Sequence, residues 1–243
     1  MTTGHGGNGA DGWSTAVHER LGLGRLLPLG DATDGAWLAE RAAATALRRT
    51  TAEVPGTTLG RLRLSLADPD SAGRPAVEPP PSALPPGPLR IEGDFATVAG
   101  EPLPDVAERL RTALYRHAVD RLGLRVTEVD LRVTALLEEP SADSSGTAAP
   151  VGATVVVPRG TAAVVAANVP GVAHLSGALG TPVLVTRGHV RVELATAAGH
   201  HPREVARAVC RQVSAALPSH PTVSVLITAV DVPRTGRKGP SVD

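Results

Sequence analysis

Val54-Pro55-Gly56 closes one predicted helix, and Val169-Pro170-Gly171 closes another. The residue before a proline is biased out of the helical region, so each tripeptide acts as a stop. The order downstream of the stop is alike in both places. Strand-like alternation comes first, then a helix led by proline, Pro104-Asp105-Val106-Ala107 in one copy and Pro202-Arg203-Glu204-Val205-Ala206 in the other. Each copy closes on a strand, Leu131-Arg132-Val133-Thr134-Ala135-Leu136 or Val225-Leu226-Ile227-Thr228-Ala229-Val230. The repeated order helix, strand, strand, helix, strand predicts an α+β protein of two tandem small domains. Each is expected to be a three-stranded or slightly larger sheet packed by two helices. A repeated unit without repeated polar chemistry reads as a scaffold rather than an enzyme.

Working outward from these stops, the first helix is expected over residues 35–53, with Asp34 as N-cap and Trp37 among its core residues. A strand over 59–67 sets Leu62, Leu64 and Leu66 against Arg61, Arg63 and Ser65, as one wet face requires. A second strand is expected over 89–98, with Arg90, Glu92 and Asp94 outward. The next helix lines up Val106, Leu110, Ala113 and Leu114. The third strand, 126–137, alternates Val129, Leu131, Val133 and Ala135 with Asp130, Arg132 and Thr134. In the second copy a helix or turn over 160–168, or on to Gly177, precedes a hairpin of 182–185 with 189–197. There Val190, Val192 and Leu194 oppose His189, Arg191 and Glu193. A helix from Pro202 to Leu217 buries Val205, Val209, Val213 and Leu217, and a strand over 223–232 closes the sheet.

Composition sets the reading of the flanking segments. Residues 1–11 and 234–243 read as disordered tails. Domain one spans 12–139 and carries an apolar arm, Leu23-Gly24-Arg25-Leu26-Leu27-Pro28-Leu29, expected to dock on that domain. Its insertion at 68–88 holds eight prolines and is expected to be an extended, exposed excursion, either a spacer or a ligand for a proline-recognising partner. Residues 140–150 are the linker and 151–233 the second domain, with the strand-like run at 153–158 as an added edge strand.

Composition excludes several functions. Lys plus Arg and Asp plus Glu number 24 each, so no global field draws in nucleic acid or anionic lipid. Trp13, Trp37, Phe95 and Tyr115 are the only aromatic residues, which leaves almost no base-stacking platform. DNA is not expected as a partner, and RNA is disfavoured because the Gly-x-x-Gly junction of KH-type folds is missing. The single Cys210 permits no intrachain disulfide and points to a reducing compartment. No apolar run reaches the ~18–20 residues that span a bilayer, and the start of the chain does not read as a signal peptide, so no direct membrane insertion is expected.

The individual chemistries also read as bland. His200-His201, with His174, His189 and His220, lack the His-x-x-x-His or Cys-x-x-Cys spacing of a metal site. Cys210 sits one residue past a buried stripe, as a half-buried helix cysteine does. Glu138-Glu139 point apart at a strand end. Asp105, Glu108, Arg109 and Arg111 form a solvated helix face, and Arg48-Arg49, Arg61, Arg63 and Arg90 read as the wet side of a sheet rather than an anion site. Gly22 and Gly24 are followed by no Lys-Ser or Lys-Thr and form no phosphate loop. No catalytic, cofactor-binding or metal-ligating residue is assigned.

The element order resembles the alkaline-shock, or envelope-stress-response, family of bacterial proteins. The residues that carry the likeness are Val54-Pro55-Gly56, Leu122-Gly123-Leu124 and Val129-Asp130-Leu131-Arg132-Val133-Thr134, and in the second copy Val169-Pro170-Gly171-Val172 and residues 223–230. The likeness covers about two thirds of the chain and implies a small α+β domain without catalytic residues, often in proteins that assemble beneath the membrane through anchoring partners. Two copies in one chain, the proline-rich insertion and the neutral charge balance depart from that pattern. The expected protein is non-enzymatic and cytoplasmic, a structural or stress-response protein without cofactor. Its expected partners are itself or a membrane-anchored protein. An RNA- or anion-binding module, and a ligand binder or enzyme in the inter-domain cleft where His200-His201 faces Arg191 or Glu193, are the alternatives.

Overall fold

The computed structural model describes residues 22–139 and 158–231, and in it the chain builds two sheets from an α+β order of elements. The predicted tails, the linker and the strand-like run at 153–157 lie outside the described residues. In the three-stranded sheet, β3 (Thr57–Leu66), β4 (Leu89–Val98) and β5 (Val126–Leu137) lie in that order, β3 antiparallel and β5 parallel to the central β4. Helix α1 (Glu40–Arg48) and a 3-10 turn (Arg49–Glu53) precede this sheet, and α2 (Leu103–Arg116) crosses from β4 to β5. The predicted stripe on α2 is the one observed, with Val106, Leu110, Ala113 and Leu114 buried.

The second sheet repeats that pairing sense. Central β8 (His189–Thr196) takes β9 (Thr222–Val230) as a parallel neighbour on one edge. On its other edge it takes β6 (Val172–Leu175) and β7 (Val183–Thr186) antiparallel, so helix or turn does not run on to Gly177: the positive-φ turn at Gly171 ends it and a strand begins. Helix α3 (Thr161–Ala167) precedes β6, and α4 (Pro202–Ala216) joins β8 to β9, burying Val205, Val209 and Val213, while Leu217, expected on that stripe, is extended past the helix end and only half-buried. Both Val-Pro-Gly stops turn on a glycine of positive φ, 78° at Gly56 and 91° at Gly171. At Gly171 a Cβ would also lie 2.6 Å from Val205 Cγ2, so the turn and the seating of α4 both need glycine.

The arm departs from expectation. It joins the second sheet, where β1 (Leu26–Pro28) pairs antiparallel with β2 (Ala36–Ala39) and β2 runs parallel to β9. Residues 36–39 are therefore strand, and the helix expected from 35 begins only at Glu40. All four β2 residues are buried. A strand buried on both faces shows an unbroken apolar run, which periodicity cannot tell from the start of a helix. Trp37 is core as expected, 1% exposed, but from a strand, and its Nε1 donates to Leu84 O at 3.1 Å.

The proline-rich insertion is largely exposed, as expected, yet it also anchors the arm. Leu84 N donates to Leu26 O at 2.8 Å and Ala76 N to Ala32 O at 2.9 Å, so the edge at β1 is covered. Asp34 caps no helix. Its Oδ2 accepts from Asp31 N at 2.7 Å and from Arg203 Nε at 3.0 Å, and its Oδ1 accepts from Arg207 Nε. Asp31 adds pairs with Arg203 at 2.8 Å and Arg125 at 3.1 Å, so two carboxylates clamp the arm, α4 and the chain entering β5.

Candidate functional site

Among the described residues β5 is an edge strand of twelve residues, and none of them pairs with the outer edge of its second half or covers it. α2 rises about 21 Å while β5 extends for about 40 Å, so the helix cannot cover the whole strand. Val129 is buried under α2, but Val133 is 37% exposed and Leu136 59% exposed. The expectation that Val133 and Ala135 face a core is thereby corrected.

The opposite edge of the same sheet is capped. Glu40 Oε1 accepts from Leu64 N of β3 at 3.0 Å, and Arg48 Nη2 donates to Gly60 O at 3.5 Å. On β5 only one backbone group has such a cap among the described residues, Val129 O, which accepts from Arg111 Nε at 3.1 Å. That carbonyl faces away from β4, and so do the backbone groups of Leu131 and Val133, two and four residues on.

The outer face of this sheet is a lattice of ion pairs. Arg90 of β4 bonds Glu128 and lies 3.2 Å from Asp130, while Arg132 grips Asp94 with two hydrogen bonds, of 2.9 and 3.2 Å. Hydrogen bonds from Arg90 to Glu128 and from Arg132 to Asp94 raise both guanidinium pKa values above the usual arginine range. Arg90 is thus engaged, Arg63 stands opposite Glu92 in register, and the five arginines of the anion-site reading do not form one free cluster. Glu138 and Glu139 come after β5 as exposed bends, and Glu108 bonds Arg111 on the exposed face of α2.

The second sheet holds polar chemistry that periodicity placed in water. His189 and Glu193 are 9% and 0% exposed, so that face of β8 is not wet. The insertion's Leu84 carbonyl reaches it through Trp37, which shares a register row with Leu226 and Glu193. Buried charge needs partners. Glu193 accepts from Arg191 at 3.2 Å and from Leu179 N at 2.8 Å. His189 contacts Thr222 Oγ1 and Ser224 Oγ, each at 2.8 Å, through its two ring nitrogens. Burial lowers the His189 pKa, with Arg191 adding to the effect against Glu78. A hydroxyl bonded to an imidazole is the start of an activated nucleophile. Ser224, however, is 0% exposed and the second nitrogen meets a hydroxyl rather than a carboxylate, so the group serves to satisfy the sheet's interior.

His200 and His201 line an open cleft of about 440 Å³ with Pro170, Glu204, Arg207 and Arg211. Arg191 and Glu193 are not among its lining residues, so the structure does not bring them to the histidine pair. Arg207 is held by Asp34. Among the described residues no group of three or more His, Cys, Asp or Glu side chains is arranged to hold a metal ion, and no helix is long and apolar enough to cross a membrane. Burial pushes the Cys210 thiol up to about 12, with Asp34 adding to it, and its Sγ faces Val223 O at 3.6 Å.

Comparison with protein-family models, with curated proteins and with solved structures finds no match to this chain. The exposed half of β5 was missed at the sequence level, and the signal lay in Ala135-Leu136-Leu137, three apolar residues in succession that strict alternation cannot place on one face.

Proposed function

We propose that this chain is a non-enzymatic structural or envelope-stress-response protein of the alkaline-shock type, which acts by binding copies of itself or a protein partner. The observation that carries the reading is the second half of β5: an edge whose outward backbone groups have no partner among the described residues, with Val133 and Leu136 exposed, on a sheet whose other edge is capped. Unpaired strand edges are templates for pairing with another chain, and native proteins blunt those they do not use. The helix, strand, strand, helix, strand order of the first copy, which recurs in the second with one further strand between its helices, and the two Val-Pro-Gly turns support the family likeness. A lone, half-buried cysteine suits a reducing, cytoplasmic setting, and any membrane association then runs through an anchored partner.

Light scattering coupled to size exclusion, across concentration and salt, tests this together with a pull-down from native lysate. The expected result is association above 24.8 kDa, or a partner whose recovery is lost in Val133→Lys and Leu136→Asp. A chain of that mass at every concentration, recovering nothing that depends on these residues, contradicts it.

A further inference from the structure

The β5 edge is self-complementary. An antiparallel pair of β5 strands related by a two-fold axis at Leu131 sets Asp130 of each copy opposite Arg132 of the other, and Val129 opposite Val133. Leu131 faces its own copy. The backbone groups that point off the sheet belong to residues 129, 131 and 133, so these become the hydrogen-bonded pairs of the new ladder, about six bonds in all. Residues 130 and 132 then form the non-hydrogen-bonded pairs, in which side chains approach most closely.

The charges continue a pattern already present on the outer face. Arg90 lies 3.2 Å from Asp130, and Arg132 is paired with Asp94 at 2.9 Å. Pairing two copies produces the row Arg90, Asp130, then Arg132 and Asp94 of the second copy, alternating in sign across four strands. The inner face extends as well, because Val133 meets Val129, a residue already under α2. The Val129 carbonyl has a second lone pair, so the bond from Arg111 is compatible with the ladder. β7, the other edge with exposed apolar side chains, is four residues long and carries no such matching pair.

We infer that this chain forms a two-fold homodimer by antiparallel pairing of β5 with β5 of a second copy, joining two three-stranded sheets into one of six strands. The inference rests on the reading of the chain as an assembly protein and names the partner and the register.

Charge exchange on the full-length chain tests it. Asp130→Arg places arginine opposite arginine twice in the dimer, and Arg132→Asp places aspartate opposite aspartate twice. Like charges directly opposite are destabilising. Each variant alone is expected to raise the dimer dissociation constant at least about tenfold. An equimolar mixture of the two restores opposite charges at both positions of the heterodimer and leaves like charges opposite each other at neither, so a heterodimer is expected to form in preference to either homodimer. Loss of the intramolecular pair at each site is common to variant and mixture, and thermal melts verify that both variants are folded.

Sedimentation equilibrium reads the result. Single variants that self-associate like the wild type overturn the β5 register while leaving assembly through another surface standing. A mixture that stays monomeric where wild type dimerises overturns it too. A wild type of 24.8 kDa at all concentrations overturns the homodimer, and the pull-down then decides the broader reading by itself. If that monomer becomes a dimer in Val155→Pro, the strand-like run at 153–157 of the same chain is the occupant instead, which also overturns the inference.

Discussion

Asp34→Ala removes the group that holds the arm, α4 and the second sheet together, and its cost comes from the geometry. The side chain is 5% exposed and accepts from three donors, Asp31 N, Arg203 Nε and Arg207 Nε. Burial alone would raise its pKa. The hydrogen bonds from Arg207 and Asp31 N, and the charge of Arg203, more than offset that and hold it below the usual value. Breaking a fully buried pair costs about 3–5 kcal/mol. Here the cationic partners are 26% and 43% exposed and Arg203 keeps Asp31, so solvent recovers part of the loss and about 2–3 kcal/mol is expected. For a chain of this size that is about 4–12 °C in Tm. Urea unfolding monitored by circular dichroism measures it, with an unchanged slope and a lower midpoint. A depressed carboxyl contributes stability above its unfolded pKa and loses it as pH falls through the folded value, so the gap between wild type and variant should close below about pH 4. A loss under about 0.5 kcal/mol, or a gap independent of pH, refutes the clamp.

Other consequences are as direct. The folded-state pKa values of His189 and His117 are lowered, chiefly by burial, so unfolding takes up protons just below the ordinary histidine pKa. Stability should therefore hold above about pH 6.5 and fall as pH drops from there, and His189→Gln should flatten that slope in urea titrations. Cys210, with its thiol pushed up to about 12, should resist iodoacetamide at pH 8 in the native protein and react once urea unfolds it. Gly171→Ala meets both a φ of 91° and a contact of 2.6 Å, and should cost about 2–3 kcal/mol. Gly100→Ala is the comparison, since its Cβ would meet nothing within 4 Å and only the backbone term remains.

Where one face of an element is wet and the other dry, its position could be read directly. The strands at 89–98 and 126–137 and the stripes of α2 and α4 emerged from period alone, because charged residues mark the exposed side. Period failed where both faces are covered. Ala36-Trp37-Leu38-Ala39 has no polar side to mark a strand, and Asp34 before it resembled a helix cap although it serves arginines some 170 residues away in sequence. His189 and Glu193 alternate with valines as a wet face would, yet both are buried, Glu193 bonded to Leu179 N and His189 to the hydroxyls of Thr222 and Ser224. The edge of β5 was invisible for the opposite reason. Val133 has the pattern of a core residue, and only the length of α2 against that of β5 shows that the helix stops short of it.

The most direct measurement is hydrogen exchange at the β5 amides, compared at dilute and concentrated protein. In the monomer the amides of Leu131 and Val133 point off the sheet and exchange fast, while those of Asp130 and Arg132 face β4 and exchange slowly. Assembly through this edge predicts that Leu131 and Val133 become protected as concentration rises, with Asp130 and Arg132 little changed. Exchange at Leu131 and Val133 that stays fast while the mass increases would contradict it.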